Sequence, residues 1–509
     1  MNITLISTST HPSDQGIRTI SGVLKNAGHS VKLVFMTSSE DYSKLYTEEA
    51  LDQLRELCKD SDLIGLSSMT STAKRAIQII AHLKTLNKPV IWGGVHATLA
   101  PMQCIEYADY VCVGEGEEAI LELVENLEKG KTISGIKNIW FRKSGKVITS
   151  GLRPLIENLD GIPLADYDIK DHYILKKNKL VPFEEADLGG YIFFLTGRGC
   201  PYCCTYCSNK ALNNLYENKW GKVRWHSPDY IIKSILFLKN KYASLKIFDI
   251  RDDTFSLRSL EQIKEFCDKY KKKIGLRMKC LGDPRTISEE KIALLIDAGC
   301  TDLIMGIQGS ERVNLEVYKR PQRDADVIKA TNILHKFAGK LTVMYDIITS
   351  NPYEASEDVL NLINLIKKLP PPFYLSVNNL VFFTGSELYN TALKDGTIKN
   401  EKDAAVELNY WDRWEHIKLK KKNMYVNLVL NLMRGSVSKS RFGYLPRFLL
   451  DFLTKPAVVK FNEENKLFTY ALGSLVGTFD TLREKIAKPL YRSLPLQFKV
   501  WYDKVRYKF

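Results

Sequence analysis

The chain has 509 residues, 45% hydrophobic and 26% charged, the balance of an ordinary globular protein with room for two or three separate cores. No run of eighteen apolar residues occurs, so a membrane-spanning helix is not expected. The formal net charge of +14 is concentrated after residue 410, where 20 Lys and Arg face 8 Asp and Glu, against 53 and 51 before it; an anionic partner would be met by the tail.

The opening run Met1-Asn-Ile-Thr-Leu-Ile-Ser7 lacks a basic leader and reads as a first strand, not a signal peptide. With ten scattered cysteines, that points to a reducing, cytoplasmic setting. Over residues 1–150 strand and helix patterns alternate. Strands are predicted at 2–7, 31–35, 63–67, 89–92 and 110–113, and helices at 16–27, 48–59, 72–86 and 117–129. Repeated βα units of this length make a parallel, doubly wound, Rossmann-like sheet. Ligands of such sheets bind beyond the carboxyl ends of the strands. Those ends carry Gly93, Gly94 and His96, then Gly114, Glu115 and Gly116. Glycine there lets a bulky flat ligand approach the backbone, although ordinary βα turns also need glycine.

Residues 151–185 are rich in Pro, Asp and Gly and read as an extended strap. The βα alternation resumes over 186–395 with about six units, implying a partial, TIM-like (β/α)6 barrel with its chemistry at the strands' carboxyl ends. Directly after its first strand, 191–195, comes Thr196-Gly-Arg-Gly-Cys200-Pro-Tyr-Cys203-Cys204-Thr-Tyr-Cys207. Cys200, Cys204 and Cys207 have C-x3-C-x2-C spacing. Three thiolates on one tight loop can hold three irons of a cubane cluster and leave the fourth iron open to a small molecule. A zinc knuckle would need a fourth nearby ligand, and none follows closely. Cys203 keeps a second pairing with Cys200 open.

Further polar residues fall at later strand ends. Asp252 and Asp253 close the second strand, where they can receive an ammonium group or cap a helix. Gln308 and Ser310 close the fourth and suit ribose hydroxyls, and Asp346 lies in the fifth.

The cysteine loop resembles the signature of the radical S-adenosylmethionine (radical SAM) superfamily. In order and spacing, Asp252-Asp253, the segment from Gly306 through Gln308 and Ser310, and the segment from Asp346 to Pro352 resemble the family's contacts to the cofactor's amino group, ribose and adenine. Gly28-His29, Gly93-Gly94-Val-His96, Gly114-Glu-Gly-Glu117 and the linker Leu159-Asp-Gly-Ile-Pro163 resemble the cobalamin-binding domain fused ahead of many such enzymes. The resemblance implies a 4Fe-4S cluster held by Cys200, Cys204 and Cys207, with S-adenosylmethionine on the open iron. It also implies cobalamin and an electron donor such as flavodoxin or ferredoxin. The expected reaction is methyl transfer to an unactivated carbon of a small molecule, or its rearrangement or oxidation. The D-x-H-x-x-G motif that supplies an axial histidine to cobalt is missing, so histidine ligation is not expected. A radical SAM enzyme without cobalamin, and a non-catalytic cobalamin or redox sensor, are the alternatives.

Residues 396–509 read as a basic helical extension. One reading is a cap packed on the barrel with a solvated basic face. The other is a peripheral contact with an anionic membrane, where a lipid or other hydrophobic substrate would be in reach. No nucleic-acid-binding module is visible.

Overall fold

The computed structural model describes residues 1–37, 44–399, 423–465, 469–471 and 473. The chain forms two compact units. One comprises Met1–Leu281, Ala293–Cys300 and Val381–Tyr410; the other comprises Gly282–Ile292, Thr301–Leu380 and Trp411–Phe509.

The first unit opens with a nine-stranded sheet. Its strands are β1 (Asn2–Ser7), β2 (Ser30–Phe35), β3 (Leu63–Ser67), β4 (Val90–Gly93), β5 (Tyr110–Cys112), β6 (Ile139–Lys143), β7 (Lys146–Ile148), β8 (His172–Lys176) and β9 (Lys179–Pro182). They lie in the order β7-β6-β5-β4-β3-β1-β2-β8-β9. The predicted strands β1 to β5 are parallel, in register from Ile3 opposite Leu63 to Ser67 opposite Gly93. β6 and β7 close one edge as an antiparallel hairpin. The strap is not merely extended: it supplies β8, parallel to β2, and its antiparallel partner β9. Two strands this short, joined by Lys177 and Asn178 at positive φ, carry too little alternation to be read in the sequence.

Helices α1 (Gln15–Asn26), α2 (Glu48–Cys58), α3 (Ala73–Leu83), α4 (Val95–Leu99) and α5 (Pro101–Cys104) connect the parallel strands, and α6 (Glu117–Glu128) leads from β5 to the antiparallel β6. α2 shows why the predicted helices form. The Thr47 side chain accepts a hydrogen bond from the Ala50 N–H, Glu48 and Glu49 occupy the first turn, and Arg55 lies in the last, all favourable to the helix dipole. Its buried Ala50, Leu51, Leu54 and Cys58 form one stripe, packed with α3 against Ile6, Val34, Leu66 and Trp92. Each large apolar side chain buried this way contributes about 1.5–3 kcal/mol before entropy is counted. α1 packs with α6, and Val23 of α1 meets Leu159 and Ile162.

The same unit continues with β10 (Tyr191–Phe194), β11 (Gly197–Arg198), β12 (Arg224–Trp225), β13 (Ile247–Ile250) and β14 (Arg277–Gly282), and with α7 (Ser208–Leu215), α8 (Pro228–Lys241) and α9 (Leu260–Lys273). β10, β13 and β14 run parallel in that order. In the second unit β15 (Cys300–Gln308), β16 (Thr342–Thr349) and β17 (Phe373–Asn379) are parallel neighbours. These are the strands predicted for a partial barrel, and among the described residues no barrel closes.

The described part of the basic extension contains helices, as predicted, at Met424–Leu432, Arg447–Leu453 and Pro456–Glu464. It also contains three short antiparallel strands, β18 (Gly435–Val437), β19 (Arg441–Phe442) and β20 (Leu445–Pro446), which continue from β17. Gly443 makes the tight turn: a Cβ there would sit 2.3 Å from the Arg434 carbonyl oxygen. The basic run 418–422 and the aromatic cluster 501–509 lie outside the described residues. Among the described residues no helix is long and apolar enough to cross a membrane.

Candidate active site

The cysteine loop is fastened at its start. β10 delivers Thr196, whose N–H donates to Asp252 Oδ1 at 2.6 Å and whose hydroxyl donates to Asp252 Oδ2. Arg258 donates to the same carboxylate at 3.0 Å and to the Thr196 hydroxyl at 2.6 Å. Its guanidinium lies 3.9 Å over the Trp225 ring. β11 then pairs antiparallel with β12. Gly197 must be glycine, because a Cβ would fall 2.3 Å from the Trp225 ring.

Cys200 and Cys204 are buried, Cys203 and Cys207 partly so. The Cys207 N–H donates to the Cys204 carbonyl at 3.0 Å, folding the loop back on itself. The Asn209 amide lies 3.6 Å from Cys207 Sγ, and the Asn213 amide 3.8 Å from Cys203 Sγ. Burial, then the Asp253 charge, pushes the Cys200 and Cys207 thiols up, Cys207 to about 12, and the nearby cysteines add to the effect. Binding of iron would displace those protons. Among the described residues no three His, Cys, Asp or Glu side chains are placed to hold one metal ion.

Across from this loop lie the carboxyl ends of the first sheet. Between them is a cavity of about 480 Å³. Gly197, Arg198, Gly199, Ser208, Asn209 and Asp253 line one side; Gly93, Gly94, Gly114, Glu115 and Gly116 line the other. The wall between is mostly apolar, with Ile17, Ile20, Leu66, Ile91 and Leu212. A glycine floor and apolar wall fit the broad face of a corrin ring.

The paired acids of β13 are separated by this geometry. Asp252 is buried and spent on Thr196 and Arg258. Asp253 opens on the cavity, where crowding by protein atoms, then the neighbouring Asp252 charge, raises its carboxyl to about 6 against the Asn209 hydrogen bond.

Three other predicted residues depart from their expected setting. Glu115 lines the cavity, but its carboxylate accepts from Arg198 at 3.0 Å, Arg224 at 3.1 Å and the Ile156 N–H at 2.8 Å. Gly114, at φ 87°, stands against Tyr216, whose hydroxyl a Cβ would meet at 2.1 Å. His96 is not brought to the cavity. α4 turns it into the core, 3.3 Å from the Thr70 hydroxyl and against Trp92, and burial lowers its pKa to about 4. Its neighbours Val95 and Thr98 line the cavity instead. His11 stacks on Tyr191 and is not part of the lining.

Sequence reasoning passed over Asn209, Tyr216, Trp220 and His226, all of which line the cavity. His226 is stacked on Tyr230, and its Nδ1 lies 3.0 Å from Asp160. Asp160 lies 66 residues from it, so no local pattern marks His226 in the sequence.

In the second unit, Gln308 ends β15 at φ 67°, where the register to β16 shifts. A left-handed backbone at a non-glycine residue is costly and is held by its surroundings. Here Gln322 and Asn314 donate to the Ile307 carbonyl at 2.9 and 3.0 Å, and Arg320 donates to Asp283 at 2.6 Å. Ser310 is buried two residues on. Asp346 lies in β16 opposite Gly306 and Ser376. Glu354, beyond β16, has its carboxyl raised to about 8 by burial and then by Asp358.

Residues 1–124 match the family model of the B12 binding domain, and residues 194–366 that of the radical SAM superfamily. An uncharacterized methyltransferase of Pyrococcus horikoshii is 29% identical over 320 residues, 61% of this chain and 65% of that protein. The match thus spans just under two thirds of that relative's length. The bacteriochlorophyllide d C-8(2)-methyltransferase of Chlorobaculum tepidum is 23% identical over 380 residues, covering 72% of this chain and 76% of that one. The structure of the radical S-adenosylmethionine methyltransferase TsrM from Kitasatospora setae, with tryptophan and a SAM analogue bound, has a TM-score of 0.62 at 16% identity. That likeness covers 77% of this chain and 76% of TsrM, and shows a shared fold.

Proposed function

We propose that this chain, a radical SAM enzyme that carries a B12-binding domain, transfers a methyl group to an unactivated carbon of a small, largely apolar molecule. The observation that carries this reading is one cavity lined both by residues that flank the cysteine loop, Gly197 to Gly199 and Ser208 to Asn209, and by the glycine floor of the first sheet. Cys200, Cys204 and Cys207 are assigned to the 4Fe-4S cluster, and Gly93, Gly94, Gly114 and Gly116 to the face of cobalamin. When bound, these groups with S-adenosylmethionine supply a 5′-deoxyadenosyl radical and a transferable methyl group. Asp253 is assigned to the ammonium of S-adenosylmethionine, and Gln308, Ser310 and Asp346 to its ribose and adenine. The apolar wall excludes water, which protects a radical from quenching. A one-electron donor such as flavodoxin or ferredoxin completes the system. Functionally we divide the chain into a cobalamin domain (1–150), a linker (151–185), the radical SAM domain (186–395) and the basic extension (396–509). Relatives that modify bacteriochlorophyllide support a flat, hydrophobic substrate.

Anaerobic reconstitution with iron, sulfide and cobalamin tests the reading. Addition of S-adenosylmethionine and dithionite should release 5′-deoxyadenosine. Retained cobalamin without that release would leave a sensor; release without retained cobalamin would leave a radical SAM enzyme of another type.

As a second reading we propose a peripheral membrane contact through the helix Arg447–Leu453. Phe448 and Phe452 are 76% and 52% exposed, while Leu450 is fully buried. Exposed Arg441, Lys455 and Lys460 belong to the same segment. Cations near an anionic surface contribute about 1 kcal/mol each. Full-length protein should co-sediment with phosphatidylserine vesicles at low salt, and Phe448→Ser/Phe452→Ser should not. No binding to phosphatidylserine vesicles would leave the segment a solvated cap, and equal binding to neutral vesicles would remove the role given to its basic residues.

A further inference from the structure

Glu115 and Glu117 stand on the first sheet's Gly114-Glu-Gly-Glu117 turn, yet their partners lie far along the chain, around the cysteine loop. Arg198, two residues before Cys200, donates to Glu115 at 3.0 Å and to Glu117. Arg224, on the strand paired with Arg198, donates to Glu115 at 3.1 Å and to the Ile156 carbonyl at 2.8 Å. The Glu115 backbone is equally engaged: its N–H donates to the Tyr216 hydroxyl at 3.0 Å, and its carbonyl accepts from Asn138 at 2.8 Å. Tyr216 stacks on Trp220 at 5.9 Å, Trp220 donates to Asn209 at 2.8 Å, and the Asn209 amide faces Cys207 Sγ. Two routes thus run from one turn to the two ends of the cysteine loop.

We infer that Glu115 and Glu117 are positioning residues for the cluster loop, acting through Arg198 and Arg224, and not contacts to the first domain's ligand. The inference rests on the reading that the three cysteines hold the cluster. Both arginines and both glutamates have little solvent exposure, so the pairing is weakly screened. Two consequences are separable. Loss of the clamp loosens the loop and opens the cluster to chelators. Loss of one negative charge leaves Arg198 less compensated beside an anionic cluster, which favours the reduced state.

The test uses reconstituted full-length Glu115→Gln and Glu117→Gln beside the unaltered protein. Measurements are the rate of iron release to a ferrous chelator, the cluster midpoint potential, and retained cobalamin. Iron release should quicken several-fold in Glu115→Gln, and the potential should move to less negative values in both variants, with cobalamin retention unchanged. A fall in cobalamin retention with an unshifted potential and unchanged iron release would make these glutamates ligand contacts and overturn the inference. Should Glu115→Gln fail to fold, Glu117→Gln alone decides by its potential. If the unaltered protein assembles no cluster at all, the functional reading fails with it, which distinguishes the two failures.

Discussion

Asp252 and Arg258 form a buried ion pair, 3.0 Å apart, that also grips the hydroxyl and N–H of Thr196 where the cysteine loop begins. Its neighbour Asp253 instead faces the cavity. Two adjacent carboxylates therefore have different work. Asp252→Ala should destabilise the fold by about 3–5 kcal/mol, because Arg258 is left as an uncompensated buried charge. Asp253→Asn should leave the denaturation midpoint nearly unchanged while weakening S-adenosylmethionine binding. Denaturant titration and equilibrium binding on both variants separate these effects; matched stability losses would contradict the division.

Cys204→Ala should abolish the cluster, and Cys203→Ala should largely spare it. Cys204 is buried near Cys200 and Cys207, whereas Cys203 lies beside the Asn213 amide. Iron content and visible absorbance of anaerobically prepared variants check this. Full retention in Cys204→Ala would reassign the ligands.

Cobalamin should bind without a histidine on cobalt. His96 faces the core, and the Nδ1 of His226 is occupied by Asp160. Electron paramagnetic resonance of the Co(II) form should lack axial nitrogen splitting. A splitting that disappears in His226→Phe would show that His226 reaches the metal.

Acid should weaken the first unit through His96. Its folded-state pKa, about 4, lies below the ordinary 6.5 because burial disfavours the imidazolium. The unfolded chain therefore binds more protons between those values, so stability falls as pH drops from 6.5 towards 4. The loss at the lower end approaches roughly 3 kcal/mol, at 1.36 kcal/mol per unit. Denaturant midpoints at pH 7 and pH 5 should converge in His96→Gln relative to the unaltered protein. An identical fall in both would assign the acid sensitivity elsewhere, with His11, also lowered to about 4, the next residue to replace.

What the chain settled by itself was whatever repeats or lies close in sequence. Apolar stripes such as Ala50, Leu51, Leu54 and Cys58 declare a helix, because one face must be buried. The βα alternation implies a parallel sheet, and three cysteines within eight residues must share one loop whatever surrounds them. Tertiary structure decided the rest, since the deciding partners are distant. Asp252 meets Thr196 across 56 residues, and Glu115 meets Arg198 across 83. A carboxylate's role depends on whether a cation consumes its lone pairs, and no local pattern records that. The same holds for His96, which one turn of α4 carries from the cavity into the core, and for β8, β9 and β18 to β20. Those strands lie outside the βα repeat that marks the others and are fixed by the hydrogen bonds that a sheet edge offers them.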